Sequence, residues 1–229
     1  MSGRLKFYGW GIENTGLDKD ERDRLFRFLF DRLGVEPRPV AAPRLEDINL
    51  RPPRVTAPAT IAGAFTEDPY ERLLHTYGKS YPETVCAFAR DFANAPDLVA
   101  IPQCEADVSA ILDWAERRQR RDHSIWLRVL CRGRSPADCG NRYAGVVSLD
   151  LRRLDRVVEI DETSRAARIQ AGIRGPAIEA PLKPHGLSIR HYPQSSSFPR
   201  LEGGSRPARA DTLPRSTLIS TILSKASAP

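Results

Sequence analysis

The chain is poor in the residues that build metal centres and membrane spans: one methionine, four histidines and four cysteines stand among 229 residues. Cys86, Cys104, Cys131 and Cys139 have neither the paired Cys-x-x-Cys spacing of a metal site nor the density of a secreted disulfide scaffold. His75, His123 and His185 have no carboxylate or cysteine pattern beside them that reads as a metal set or a catalytic triad, and His191, between Arg190 and Tyr192, reads as a packing histidine. No apolar run approaches the roughly 20 residues that cross a bilayer, and Met1 to Trp10 lacks the apolar core of a signal peptide. The expectation is an unexported chain in the reducing cytoplasm. No Gly-x-Gly-x-x-Gly follows a strand, so the Rossmann fingerprint is missing. Gly78-Lys79-Ser80 is no Walker loop either, because Leu73 stands where that motif needs glycine.

What is abundant is positive charge, +6 with a pI near 9.4, which ordinarily points to an anionic partner such as nucleic acid. The excess is confined to two windows. Residues 119–134 hold five Arg against one Asp, and residues 200–229 hold four Arg and one Lys against one Glu and one Asp. Outside them the balance is 25 basic to 26 acidic residues, and no nucleic-acid partner is expected.

The periodicity is legible over most of the length. Asp18 can cap a helix through about Leu33, with Leu25, Phe26, Leu29 and Leu33 on one face and Gly34 as its stop. Pro37, Pro39, Pro43, Pro52, Pro53 and Pro58 then favour an extended connector over the surface. Leu98 to Pro102 reads as a strand and Glu105 to Arg118 as a helix burying Val108, Ile111, Leu112 and Ala115. Strands are predicted at Gly145–Leu151, Val157–Asp161 and Ala166–Ala171. A short helix over Gly175–His185 should stop at a left-handed Gly186, and a last strand, Leu187–Arg190, leads to the turn at Pro193.

Several of these segments resemble one family. The opening KFYGWG, the stretch HTYGKSYPETVCAFARDF, the run APDLVAIPQCEADVSAILDWAERR, the block RYAGVVSLDLRRLDRVVEID and the Pro-x-Ser-x-x-Phe turn in SIRHYPQSSSF are similar to the alkyldihydroxyacetonephosphate synthases. More broadly they resemble the FAD-linked oxidases of the vanillyl-alcohol oxidase type. A dinucleotide pyrophosphate must be met by several backbone N–H groups at once, so glycines and small hydroxyl residues are needed where the chain approaches it. The resemblance implies that FAD is held by a Gly-x-Gly-Ser-Ser loop on one side and the Pro-x-Ser-x-x-Phe turn on the other. It assigns Pro193, Gln194, Ser195, Ser196, Ser197 and Phe198 to the flavin. It carries over no catalytic residue and no metal ligand.

Two windows break the resemblance, and both are restored by a change of reading frame. Residues 200–213 can be written with codons that, read one base earlier, give TLGGWIATRSGGHF, the family's continuation; the shifted frame of Leu213 to Pro229 gives ATLYTHIDDFVESLRA. Gln119 to Cys131 can likewise be written so that dropping one base yields NVAIIPFGCGSSV, the missing strand and glycine loop. In the printed chain Trp126, Leu127, Arg128, Val129 and Leu130 stand at that loop's positions, and side chains of this bulk cannot hug a phosphate. The expectation is a single-base loss that put everything from Pro199 onward out of frame, and a second frame disruption over 119–134 with the register restored near Ser135. Resequencing the DNA for those windows decides it.

The resulting expectation is an α+β fold: an incomplete two-subdomain FAD-binding domain over 90–199, preceded by a helical, proline-rich extension over 1–89 and followed by a disordered, truncated tail over 200–229. The resemblance implies an enzyme of ether-lipid synthesis, inactive as printed, that binds FAD and a lipid-like or hydroxy-acid molecule and is homodimeric in its intact relatives. An FAD-linked hydroxy-acid oxidase or dehydrogenase is the alternative, and a non-catalytic module with a basic tail is the second.

Overall fold

The computed structural model describes residues 3–36, 38–122, 125–129, 143–189, 218–222 and 224–225. Helix α1, Lys19–Leu33, starts at a reciprocal cap: Asp18 accepts from the Glu21 N–H at 2.8 Å, and Glu21 accepts from the Asp18 N–H at 3.0 Å. Gly34 ends it in the left-handed conformation, φ 63°, as the sequence predicts. None of its residues is buried. The proline-rich stretch then passes through 3-10 turns at Leu45–Asp47 and Ala59–Ala64 before β1, Phe65–Thr66, α2, Pro69–Leu74, and α3, Tyr81–Phe88.

The segment Gly78-Lys79-Ser80 is a helix-capping and tethering device. The Glu83 carboxylate accepts from the backbone N–H groups of Gly78 and Ser80, each at 3.0 Å, so it closes the first turn of α3. Lys79 Nζ donates to the carbonyls of Lys6 and Phe7, and Trp10 Nε1 donates to the Lys79 carbonyl at 3.1 Å. These bonds bring the aromatic opening onto a cluster of Phe7, Tyr70, Leu73, Leu74, Tyr77, Ala87 and Phe92. Phe92 lies past residue 89 in the chain, so this apolar cluster crosses the predicted boundary of the extension.

Beyond it lies a four-stranded sheet in the order β1-β2-β4-β3, where β2 is Leu98–Ala100, β3 is Ile125–Val129 and β4 is Gly145–Leu149. The strands β2, β4 and β3 run parallel, with Leu98 opposite Val147 and Ile125 opposite Gly145, while β1 joins antiparallel with Phe65 opposite Ala100. Parallel strands of one sheet require crossovers, and α4, Glu105–Asp122, supplies the one that leads from β2 to β3 on the far side of β4. It buries Val108, Ile111, Trp114 and Ala115 against Leu98, Ala100, Val147 and Leu149, with Leu112 only half-buried. Trp114 meets Phe65 edge-on at 5.3 Å. The helix runs a turn beyond the predicted Arg118, because Gln119, Arg120, Arg121 and Asp122 include no glycine or proline to stop it. Removing one of the fully buried aliphatic side chains, such as Ile111 or Leu149, is worth roughly 2–5 kcal/mol.

The register of β3 shows what stands at the positions of the family's glycine loop. Trp126, Leu127, Arg128 and Val129 do not occupy a loop: they pair with Val146, Val147, Ser148 and Leu149 as a strand. Bulky and β-branched residues suit a pleated ladder, which is why the printed residues extend the sheet here. Leu130 and the positions after it lie outside the described residues.

A second sheet holds β5, Val157–Asp161, β6, Ala166–Gln170, and β8, Leu218–Ile222, all antiparallel in the order β5-β6-β8. Helix α5, Gly175–Leu182, continues as a 3-10 turn to His185 and stops at Gly186, φ 62°. Ile178 and Leu182 pack with Ala167, Ile169, Ile173 and Leu187 into a third apolar cluster. Strand β7 is Leu187–Ser188, shorter than predicted, and pairs with β9, Ser224–Lys225. Disorder over 200–229 therefore does not describe these seven tail residues, whose backbones complete ladders with Ala166–Gln170 and Leu187–Ser188. No helix among the described residues is long and apolar enough to cross a membrane.

Candidate functional site

In open sheets with parallel strands, ligands sit outside the carboxyl ends of the strands, so what the chain places at the two ends of β2 and β4 decides where a site can form. At the amino end stands Asp97, with no exposed surface. Its carboxylate accepts from the Val146 N–H at 2.7 Å, the Arg54 N–H at 2.9 Å, Arg54 Nε at 3.1 Å, Arg54 Nη2 at 3.0 Å and both terminal nitrogens of Arg51. Burial alone would raise the Asp97 pKa, but the hydrogen bonds from Arg54 and Arg51 and from the Arg54 and Val146 N–H groups hold it at about 2. Arg72 of α2 donates to the carbonyls of Pro96 at 2.7 Å and Arg51 at 2.8 Å, and burial together with the Arg51 charge lowers its pKa. The proline-rich stretch is thus clamped to the sheet through Arg51 and Arg54.

At the carboxyl end the chain leaves β4 through Asp150, whose N–H donates to the Ala100 carbonyl at 2.8 Å. His75, at the end of α2, places Nε2 2.9 Å from Asp150 Oδ2 and Nδ1 2.6 Å from the Glu71 carbonyl. Arg152 Nε donates to Asp150 Oδ2 at 2.8 Å, and its two terminal nitrogens grip the Glu71 carboxylate at 2.8 and 2.6 Å. Burial would lower the Arg152 pKa, but the hydrogen bonds and charges of Glu71 and Asp150 raise it further. The sequence shows no partner for His75. The fold supplies one from 75 residues away.

These charged groups satisfy one another, so their chemistry is positioning: α2 reaches both ends of the parallel strands, through Arg72 at one and Glu71 and His75 at the other. Gly172 holds the chain close to the same exit, because a Cβ there would lie 1.7 Å from the Leu151 carbonyl oxygen and 2.8 Å from that of Leu154. Among the described residues the one buried side-chain oxygen or nitrogen without a hydrogen bond is Ser148 Oγ, on β4. The residues assigned to the flavin by resemblance, Pro193, Gln194, Ser195, Ser196, Ser197 and Phe198, lie outside the described residues, as does His191.

Residues 96–198, from just before β2 to the end of the Pro-x-Ser-x-x-Phe motif, match the family model described as FAD binding domain. This part of the chain is similar to the FAD-binding domain family. The alkyldihydroxyacetonephosphate synthase of Dictyostelium discoideum is 29% identical over 147 residues, covering 60% of this chain and 22% of that protein. The synthase of Trypanosoma brucei brucei is 28% identical over 142 residues, 59% of this chain and 22% of its own length. The mitochondrial L-galactono-1,4-lactone dehydrogenase of Brassica oleracea is 30% identical over 91 residues, 40% of this chain and 14% of that protein. The chain therefore spans about a fifth of the length of the curated synthases it matches. A solved alkyldihydroxyacetonephosphate synthase superposes with a TM-score of 0.71 over 87% of this chain and 42% of its own, at 23% identity, a likeness of fold. The mixed α/β architecture is that of the FAD-binding part of those structures.

The parallel β2-β4-β3 sheet, the antiparallel β5-β6-β8 sheet and their braces are in place, but Trp126 to Val129, at the positions of one cradle loop, are strand, and Pro193 to Phe198, at the other, lie outside the described residues. Strand β3 continuing through Val129 moves any phosphate loop that follows it to residue 130 or beyond.

Proposed function

We propose that this chain is the cofactor-binding portion of an alkyldihydroxyacetonephosphate synthase-like flavoenzyme, with Pro193 to Phe198 lining the flavin, and that as printed it is inactive. The observation that carries the reading is the joint match: an FAD binding domain over 96–198 and a synthase likeness over 60% of the chain. The activity so implied is exchange of the acyl group of an acyl-dihydroxyacetone phosphate for a fatty alcohol, a step of ether-lipid synthesis. When bound, FAD supplies the reactive ring system, and the protein supplies binding, orientation and electrostatics. In that division of labour the Asp97 and Asp150 clusters fix the two ends of the parallel sheet.

An FAD-linked oxidation of a hydroxy acid or lactone is the second reading, favoured by the 30% identity to the lactone dehydrogenase over 91 residues. A free basic tail acting as a binding module loses ground, because the backbones of Leu218–Ile222 and Ser224–Lys225 lie in sheet ladders.

Titration with FAD, followed by flavin fluorescence, tests the proposal on two versions: the printed chain, and one with both windows returned to the family's frame. The restored version should bind one FAD, and the printed one weakly or not at all, since each lost charge-assisted backbone bond costs roughly 1.5–3 kcal/mol. Stoichiometric sub-micromolar binding by the printed chain, or no binding by the restored one, overturns the proposal.

A further inference from the structure

Three guanidiniums, of Arg51, Arg54 and Arg72, meet one carboxylate, Asp97, at the amino end of the parallel strands. At the carboxyl end the count is reversed, with Arg152 held between Glu71 and Asp150. The Asp97 carboxylate already accepts six N–H bonds, beyond the roughly four lone-pair positions of such a group. Glu67, the other acid whose charge reaches Arg72, is exposed and hydrogen-bonds to none of the three guanidiniums. The hydrogen bonds of the cluster close, but its charge does not: three positive groups against one negative leave two positive charges over.

The excess is presented to solvent by two of the three. Arg72 is 3% exposed and donates to the Pro96 and Arg51 carbonyls, whereas the Arg51 and Arg54 side chains are 28% and 30% exposed. Arg51 places three N–H groups on Asp97 and the Ala95 carbonyl, and the Arg54 guanidinium places two on Asp97. Their other guanidinium N–H groups have no acceptor among the described residues. Pro52 and Pro53 fix the φ angles between the two arginines, and Asp97 pins one edge of each guanidinium, so both are oriented before a ligand arrives. We propose that Arg51 and Arg54 form an anion site at the amino end of the sheet whose ligand is a phosphate monoester. A dianionic phosphate brings the two negative charges the cluster lacks and three acceptor oxygens for the guanidinium forks, whereas a carboxylate or chloride brings one charge. Ligands of such sheets sit at the carboxyl ends of the strands, so this site is separate from the flavin reading and does not rest on it. The phosphate group can belong to a soluble ester or to a lipid headgroup.

The full chain is titrated calorimetrically with inorganic phosphate at about pH 8, where phosphate is a dianion, with ionic strength held constant by chloride. One saturable site is expected. Bound phosphate should slow modification by phenylglyoxal, an arginine-specific reagent, severalfold at Arg51 and Arg54 but not at Arg22 and Arg24, which are exposed on α1; mass spectrometry of the peptides reads the difference. Arg54→Lys keeps the charge and loses the fork, so it should weaken phosphate binding about tenfold. If circular dichroism shows that variant unfolded, the protection pattern of the unmodified chain decides. Phosphatidylcholine vesicles with and without phosphatidic acid, whose headgroup is a phosphate monoester, separate the two sources. Binding that needs phosphatidic acid and is reversed by free phosphate assigns a lipid headgroup; phosphate binding without it assigns a soluble ester. No saturable phosphate binding, protection spread equally over Arg22 and Arg24, or a folded Arg54→Lys chain that binds phosphate as tightly overturns the proposal.

Discussion

Asp97→Asn removes one negative charge from a carboxylate that has no contact with water and accepts from Arg51, Arg54 and the Val146 N–H. The asparagine keeps one acceptor oxygen, and its amide nitrogen then faces N–H donors, which repel it. Two guanidiniums that shared its single negative charge are left beside each other and beside Arg72. Breaking a buried pair by removing one partner costs roughly 3–5 kcal/mol. With a urea slope of about 2 kcal/mol per molar, the unfolding midpoint should fall by about 1.5–2.5 M. Acid supplies an independent check. The folded-state pKa is depressed from 3.8 to about 2, so the stabilisation is present above pH ~4 and is lost as pH falls through about 2. Its size is on the order of 2 kcal/mol, because each tenfold change in proton affinity is worth about 1.4 kcal/mol. Urea melts of both proteins at intervals from pH 7 to pH 2 should therefore converge as Asp97 protonates. A midpoint change under ~0.5 M at pH 7, or a gap that does not narrow below pH 4, would refute the claim that this carboxylate clamps the proline-rich stretch to the sheet.

Two further outcomes follow from single positions. Gly172→Ala puts a methyl 1.7 Å from a backbone oxygen that no side-chain rotation can relieve, so it should destabilise by ~3 kcal/mol or more, read as a lowered melting temperature; a shift under a degree would show that the Leu151–Leu154 turn moves freely. Burial first, then the charges of Asp91, Cys86 and Glu83 and the hydrogen bond of Cys86, push the Tyr77 phenol up to about 12, while its hydroxyl donates to the Asp91 carbonyl. The stability tied to it is whole below pH ~10 and disappears as pH rises through about 12, so Tyr77→Phe should flatten the alkaline decline in that window; an unchanged decline assigns it to other groups.

Local chemistry carried much of this fold in the sequence itself. Asp18, Glu21 and Gly34 bound α1 because capping is a matter of neighbouring residues, and Val157–Asp161 is strand at the predicted positions because alternation and flanking turns are local too. The Pro-x-Ser-x-x-Phe motif and the RYAGVVSLDLRRLDRVVEID block were enough to point to the FAD-binding family, since they lie within the stretch that matches it. The sequence was silent on Asp97 and on the partner of His75. Asp97 is one acid among many until β2 and β4 bring Val146 beside it and the proline-rich stretch delivers Arg51 and Arg54. His75 finds Asp150 only because α2 ends at the carboxyl end of β4. Trp126 to Val129 show the same limit from the other side. As a string they are four bulky residues where a glycine loop was expected, and only the empty edge of β4, with unpaired backbone groups to satisfy, makes them a strand. Short-range spacing determines caps, helices and turns. Which charges end up buried together, and which printed residues are drawn into a ladder, is decided when distant segments meet and every buried polar group must find a partner.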